Sequence, residues 1–537
     1  MRVSIVAAAL SLAAMPIAAH AQSADIVLKE LPPTALKVGE KSIEELQAML
    51  ATGELTSEQL VQGYLERIRM MDRAGPSLRS VIAINPKALE QAKKADRDRR
   101  LRIARGPLFG IPVLIKDNIE TAENATTAGS LALKDNVTGR DAPLVARLRA
   151  AGAIILGKTN LSEWANIRDN DSMSGWSAVG GLVRNPYALD RTACGSSSGT
   201  GSAIAASLGA VGVGTETDGS VVCPSSINGL VGLKPTLGAI SRTHVVPISH
   251  SQDTPGPMAR SVKDAAALFS GMIGTDPADA ATKEADAKRE ALTPDWTKAS
   301  LKGVKLAVLR PQMGAALAAQ FDAQLAVLKA QGAELIPVER PATEGLGEAE
   351  FNVLLMELKS DLAAYLATTP DSVKIRTLAD AIAFNKANAD TELRYFAQST
   401  FEAAEATGGT ADPKYAEARA KSLKLASEAV DAMLAKAGAA AIVTPSYGMA
   451  WLSDPVYGDQ FNGPSASQLP AVSGYPHLTV PMGLVKGLPA GLSFIGAKWT
   501  DARLLELGYA YEQASKARVA PTYPATVTQG GGLDGVR

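Results

Sequence analysis

Gly110-Ile111-Pro112-Val113-Leu114-Ile115-Lys116-Asp117-Asn118 is the stretch on which the fold class turns. Gly110 and Pro112 mark a loop, Val113-Leu114-Ile115 is an apolar run short enough for a buried strand, and three polar residues stand at its end. Downstream, the helical stretch from Leu144 to Ala151 leads into a second strand-like run, Ala153-Ile154-Ile155-Leu156-Gly157. Upstream, Ile43, Leu46, Met49 and Leu50 recur at helical spacing after Ser42, and Gly53 stops them. Thr56-Ser57-Glu58-Gln59 has the form of a capping box, and Leu60, Tyr64, Leu65, Ile68 and Met71 give the next helix an apolar face. The charged stretch from Lys87 to Arg105 reads as a solvated helix. Helices alternating with buried strands predict an α/β layered domain.

The alternation returns late in the chain. Ala441-Ile442-Val443-Thr444-Pro445, Leu478-Thr479-Val480-Pro481 and Gly491-Leu492-Ser493-Phe494-Ile495 read as strands. Between them and the early strands, residues 264–440 are Ala-rich and helical, with helices expected over Phe351 to Ala367 and Tyr415 to Ala435. That middle is expected to be a helical insertion covering one core. The domain prediction is a single α/β domain over residues 22–525, a mixed β-sheet sandwiched between helical layers, and a flexible tail over 526–537 containing Gly530-Gly531-Gly532.

The chain begins with Arg2, an apolar run from Val3 to Ala19, and Ala19-His20-Ala21. A basic start, a short apolar middle and small residues two apart predict a signal peptide over residues 1–21, cut after Ala21. A membrane anchor would need ~20 apolar residues to span the hydrocarbon. The mature protein is therefore expected in the periplasm or secreted, with no membrane contact after the leader is removed. With 54 Lys and Arg against 55 Asp and Glu, the net charge of −1 lacks the basic surface that nucleic acid or anionic lipid requires. Two cysteines, Cys194 and Cys223, exclude a Cys-rich metal site, and no His-Glu-x-x-His occurs. No metal and no cofactor are predicted; oligomeric state is not encoded in any pattern.

Three segments carry groups suited to chemistry. Gly195-Ser196-Ser197-Ser198-Gly199-Thr200-Gly201-Ser202 offers hydroxyl relays ahead of a helix, although by composition alone it is a flexible loop. Gly214-Thr215-Glu216-Thr217-Asp218-Gly219-Ser220 offers small residues whose backbone amides can converge on one point, although it also fits an ordinary polar turn. Lys116 at a strand end is commonly a salt-bridged or surface residue; as a base it would need its ordinary pKa of ~10.4 brought down by burial.

Taken together, these segments resemble the amidase signature family. Gly110-Ile111-Pro112 through Lys116-Asp117-Asn118 is similar to its lysine strand, Gly195-Ser196-Ser197 to its serine-glycine loop, and Asp218-Gly219-Ser220 to its nucleophile turn, followed by Gly229-Leu230-Val231-Gly232-Leu233-Lys234-Pro235-Thr236. The resemblance runs from Glu44 to about Glu512 and looks closest to bacterial peptide amidases through Pro247-Ile248-Ser249 and Ser251-Gln252-Asp253-Thr254-Pro255-Gly256-Pro257. It implies the amidase signature fold and hydrolysis of a carboxamide C–N bond through an acyl-enzyme, with a small-molecule or peptide amide, best the C-terminal amide of peptides, as substrate.

In that scheme Ser220 is the nucleophile, Ser196 the relay after a cis peptide bond, and Lys116 the base. The resemblance further implies that backbone N–H groups of Thr217, Asp218, Gly219 and Ser220 form the oxyanion hole, and that Met173 and Ser197 contact substrate. Many members have Gly where this chain has Asp218 and Arg where it has Val222, so the surroundings of the nucleophile differ.

Rival readings are an esterase or an aryl or aliphatic acylamidase, and a peptide-binding relative without catalysis. Gly195-Ser196-Ser197-Ser198-Gly199 fits a nucleophile elbow centred on Ser197, which would need a preceding strand and a histidine base, His250 or His477. Asp190-Arg191-Thr192-Ala193 does not read as that strand. Cys194 and Cys223 each lie close to one of the two serines that must meet, so the choice is between a disulfide and two buried thiols.

Overall fold

A computed structural model describes residues 30–103 and 106–527. The expected leader, with its cut after Ala21, and Gly530-Gly531-Gly532 lie outside the described residues. Local closure of the early helices follows their sequence. Ser42 accepts from Glu45 N and Glu45 accepts from Ser42 N at the start of helix Ile43–Thr52, and Thr56 and Gln59 exchange the same pair of bonds at helix Ser57–Arg67. Gly53 ends the first helix at φ 76°, a left-handed conformation that glycine takes without a Cβ clash.

The strands, in chain order, are β1 (Val81–Ile84), β2 (Pro112–Lys116), β3 (Ile154–Thr159), β4 (Arg184–Asn185), β5 (Ala188–Thr192), β6 (Val211–Glu216), β7 (Val231–Lys234), β8 (Thr254–Ala259), β9 (Lys305–Leu309), β10 (Glu334–Val338), β11 (Ala441–Pro445), β12 (His477–Val485) and β13 (Leu488–Ile495). Eleven of them form one sheet in the order β1-β3-β2-β6-β8-β7-β12-β13-β11-β9-β10. It is mixed: β2 lies parallel to both β3 and β6, β9 parallel to β10 and β11, and the centre from β6 to β13 is antiparallel.

Alternation along the strands divides the core in two. Leu306, Val308, Ala441, Val443, Leu492 and Phe494 face one layer, with Phe321 and Leu328 of helix Ala315–Ala330 and Leu504 and Leu507 of helix Asp501–Ser515. Ala307, Ile442 and Ile495 face the other, with Val430 and Met433 of helix Tyr415–Ala437 and Leu469 of helix Gln468–Ser473. The expected single α/β domain with a mixed sheet between helical layers is what the chain forms.

Two local expectations need correcting. Residues 264–440, read as helical throughout, also supply β9 and β10: Lys305–Leu309 and Glu334–Val338 are five-residue runs that pair in parallel register, too short for periodicity to reveal among Ala-rich helices. Likewise Asp190 to Thr192, read as no strand, end β5, which pairs with β4 in a separate two-stranded ribbon.

Helix Leu346–Leu366 covers the segment after β2, with Leu355, Leu358 and Leu362 packed on Ala128, Leu133 and Trp164. Beside it Arg168, fully buried, bonds Glu163 at 2.5 Å, reaches Glu392 at 3.8 Å and stacks 4.1 Å from the Phe396 ring centroid. Removing the guanidinium strands two buried carboxylates, so Arg168→Met is expected to lower the unfolding free energy by about 3–5 kcal/mol, read as a fall in the urea midpoint. An unchanged midpoint would show that the two carboxyls do not depend on it.

Cys194 and Cys223 are joined in a disulfide, Cα atoms 6.0 Å apart, linking the segment before helix Ser198–Ala205 to helix Val222–Ile227. This resolves the alternative left open by the sequence. Thiol titration of the unfolded protein without reductant should find no reactive thiol; two would contradict the link.

Candidate active site

Parallel register brings the first pieces together. Val113, Leu114 and Ile115 of β2 pair with Val211, Gly212 and Val213 of β6, so Lys116 at the end of β2 arrives beside Thr215 near the end of β6. Helix Ser198–Ala205 lies against these strands because β6 is small there: a Cβ on Gly214 would stand 2.7 Å from Ser197 Oγ.

Lys116 is fully buried, with Nζ at 2.8 Å from Ser196 Oγ, 2.8 Å from Thr215 Oγ1 and 3.3 Å from Thr215 O. Three partners suit either protonation state. A neutral amine can donate twice to Thr215 and accept from the Ser196 hydroxyl; an ammonium can donate to all three. Asp117 next door is taken by Lys158, whose Nζ lies 3.0 Å from its Oδ1, so no carboxylate forms an ion pair with Lys116 among the described residues. Burial therefore dominates and brings the Lys116 amine down to about 7, against the partial opposition of the Asp253 and Glu216 charges.

Ser196 follows a cis peptide bond from Gly195 and is buried. Its backbone O accepts from Ser162 N at 3.0 Å, and a Cβ on Gly195 would stand 2.1 Å from Ser162 Oγ, which excludes any larger residue before Ser196. Ser197 is placed otherwise than expected: it has no exposed surface, and its hydroxyl donates to Thr215 O and accepts from Thr215 N, both at 3.1 Å. It fastens the loop to β6 and has no free hydroxyl for a substrate. The nucleophile elbow centred on Ser197 fails for the same reason, although β5 does precede it.

The turn after β6 carries Ser220, 9% exposed. Glu216 folds over the turn and accepts from Val221 N at 2.8 Å and Val222 N at 2.9 Å, and Cys223 N donates to Gly219 O at 2.8 Å. Gly219 has φ 88°, and a Cβ there would stand 1.9 Å from Tyr447 Oη, so only glycine fits. With the turn closed this way, the backbone N–H groups of Thr217, Asp218, Gly219 and Ser220 make no hydrogen bond to any acceptor among the described residues. Ser197 N donates to Ser220 O at 3.3 Å, which, with the disulfide, ties the two serine loops together. Ser196 Oγ bonds Lys116; among the described residues no bond joins it to Ser220 Oγ.

Met173 packs on Trp176 and Phe396 and lines a cavity of about 460 Å³ with both Trp176 and Tyr395; neither Ser196 nor Ser220 lines it. Asp218 is exposed. The histidines are elsewhere engaged: His477 is buried against Ser493 Oγ at 2.6 Å, with burial holding its pKa down to about 3, and His250 bonds Asp361 at 2.9 Å. His250, Glu357 and Asp361 bring ligand-type atoms within 4.8 Å of one another, but Glu357 already accepts from Ser249 Oγ, Ser251 N, Ser251 Oγ and Tyr415 Oη. Sequence reading had no role for Thr215, Glu216 or Asp253, although all three stand in the quoted segments; their part is set by pairing across β6 and β8.

The "Amidase" family model matches residues 59–505. A probable amidase of Arabidopsis thaliana is 38% identical over 504 residues, covering 92% of this chain and 93% of its own. A putative amidase of Schizosaccharomyces pombe is 32% identical over 527 residues, covering 90% and 86%. The crystal structure of the native peptide amidase from Stenotrophomonas maltophilia superposes with a TM-score of 0.83 at 48% identity, over 90% of this chain and 99% of that one. A peptide amidase crystallised with the competitive inhibitor chymostatin gives 0.85 at 47% identity, over 90% and 99%. On this breadth of match the chain belongs to the amidase signature family and is an amide hydrolase.

Proposed function

We propose that the protein hydrolyses the C-terminal amide of peptides through Ser220, Ser196 and Lys116. The observation that carries this reading is the turn of four free N–H groups ending at Ser220, set beside a buried lysine whose one side-chain serine partner is Ser196. In this scheme Ser220 Oγ attacks the amide carbon, its proton moves to Ser196 Oγ, and the Ser196 proton moves to neutral Lys116. The oxyanion gathers on the N–H groups of Thr217, Asp218, Gly219 and Ser220, donors that need no reorganisation as charge develops. Protonated Lys116 returns its proton through Ser196 to the departing ammonia, leaving an ester on Ser220. Water then attacks the ester with the same relay in reverse, and the acid leaves.

Support for a peptide amide comes from the likeness to peptide amidases, one of them crystallised with a peptide-like inhibitor. We also place the mature protein outside the cytoplasm, beginning after Ala21; the composition of residues 2–21 and the Cys194–Cys223 disulfide both favour an oxidising compartment. Among the described residues no helix is long and apolar enough to cross a membrane. Residues 22–525 would be the enzyme domain and 526–537 a tail.

Ammonia release should be fastest from a C-terminally amidated dipeptide when it is compared with a free aliphatic amide, an anilide and a matched ester, acid formation being followed for the last two. Cleavage of the ester alone would overturn the reading. Ser220→Ala should bind the peptide amide and not turn it over.

Lys116→Ala should lose about 10³-fold or more at neutral pH. Because Lys116 must be neutral to accept a proton, wild-type kcat/KM should rise with pH through about 7 and level off above. A flat profile would remove Lys116 from the reaction.

A further inference from the structure

Beside Thr215 lies a cavity of about 10 Å³ whose walls also include Asn118, Thr217, Arg242 and Asp253. That is about the smallest space that admits one water molecule. Thr215 is the direct partner of Lys116, and Asn118 Nδ2 donates to the same Thr215 Oγ1 at 3.0 Å. Asn118 is 2% exposed and its Oδ1 has no hydrogen-bond partner among the described residues, an unmatched acceptor on the cavity wall.

Asp253, 8% exposed, faces the same space. Its Oδ1 accepts from Thr217 Oγ1 at 2.6 Å, and its Oδ2 accepts from Ile248 N at 2.8 Å and Ser249 N at 3.0 Å. Thr217 is the first residue of the free-amide turn, and its backbone O accepts from Gln252 Nε2 at 3.1 Å.

We propose that Asp253 is a positioning residue for the reaction, anchoring Thr217 at the head of the oxyanion turn and presenting its negative charge to Lys116 across a cavity that takes one bridging water between it and Asn118 Oδ1. This rests on the role given to Lys116 above.

Of the two carboxylates whose charges act on Lys116, Asp253 and Glu216, Asp253 is the one on the cavity wall. Arg242, on the same wall, is paired with Asp279 at 2.6 Å. Glu216 spends one oxygen on Val221 N and Val222 N and lies near Lys234; Asp117 holds Lys158. On the covering helix Leu346–Leu366, Glu350 accepts from Gln252 and Gln468, Glu357 from Ser249 and Ser251, and Asp361 from His250. Among the described residues no cation stands within ion-pair distance of Asp253, whose carboxyl burial raises to about 6.

The sign follows. The Asp253 charge favours the ammonium form of Lys116, so removing it should ease deprotonation and move the rising limb of kcat/KM to lower pH. In Asp253→Asn the limb should fall by about one pH unit, and kcat on the plateau should drop about tenfold as Thr217 loses a charge-assisted bond. Asp253→Glu should return the limb toward its wild-type position. Thr217→Val keeps the charge and removes the bond, so it should lower plateau kcat and leave the limb in place.

A limb unmoved in folded Asp253→Asn, or full plateau kcat in Thr217→Val, would overturn the proposal. Should the Asn variant fail to fold by circular dichroism, Thr217→Val still decides the anchoring half, and loss of that half overturns the whole. If wild type itself shows no limb, the lysine mechanism falls instead, which separates the two failures.

Discussion

A buried lysine with no carboxylate in ion-pair contact among the described residues is the constraint on which the centre depends. An amine in such a place is held by hydrogen bonds alone, and Lys116 finds them in Ser196 Oγ and the two oxygens of Thr215. Any ion-paired arrangement would keep it protonated. The fold avoids that by giving the adjacent Asp117 its own buried lysine: Lys158 pairs with Asp117 and bonds Ile119 O and Thr126 Oγ1, so the carboxylate next in sequence is already held. Two lysines one strand apart thus divide the work, one pinning the loop after β2 and the other kept available as an amine.

Holding that amine requires strands whose ends meet in parallel, and parallel strands meet only through crossovers, which is why β2, β3 and β6 sit together on one side of a sheet whose centre is antiparallel. The loops on top are then fixed from several directions. Ser197 laces the serine loop to the β6 backbone, Glu216 closes the turn ending at Ser220, and the disulfide joins the two loops outside the sheet. From above, Glu350, Glu357 and Asp361, spaced seven and four residues apart on one face of a single helix, receive Gln252, the two serines beside His250, and His250 itself. The loop from Ile248 to Asp253 is therefore gripped by the covering helix on one side and holds Thr217 on the other.

Much of this was legible in the sequence where a local rule applies. Capping at Ser42 and Thr56, the stop at Gly53 and the strand ending in Lys116 depend on residues next to one another, and each appears as written. Small residues before Ser220 suggested converging amides, and the family resemblance picked out those of Thr217, Asp218, Gly219 and Ser220. What stayed hidden depends on partners far along the chain. Nothing near Ser197 says that its hydroxyl will be spent on Thr215, 18 residues away, nor does Asp253 announce that it will meet Thr217. β9 and β10 were hidden by their setting: each is five residues long, flanked by helices, and acquires its identity from a neighbour in the sheet. Propensity over so few residues is weaker than the pairing that overrides it.

The turn ending at Ser220 shows why side-chain differences from related enzymes need not alter the proposed reaction. Asp218 keeps exposed surface while its carboxyl stands among Ser467, Arg340 and Glu350, whereas the groups suited to receive an oxyanion are N–H groups fixed by Gly219 and by the Glu216 bonds on the far side of Ser220. Backbone donors cannot be altered by replacing a side chain unless the turn itself changes, and the turn is determined by a contact rather than a charge: Tyr447 Oη leaves no room for a Cβ at position 219. The Asp218 side chain thus takes no part in presenting these N–H groups, whose geometry is set by Gly219, Glu216 and Thr217. In the proposed reaction the work falls to residues with little freedom to move, and it is their packing that the surrounding sheet and helices supply.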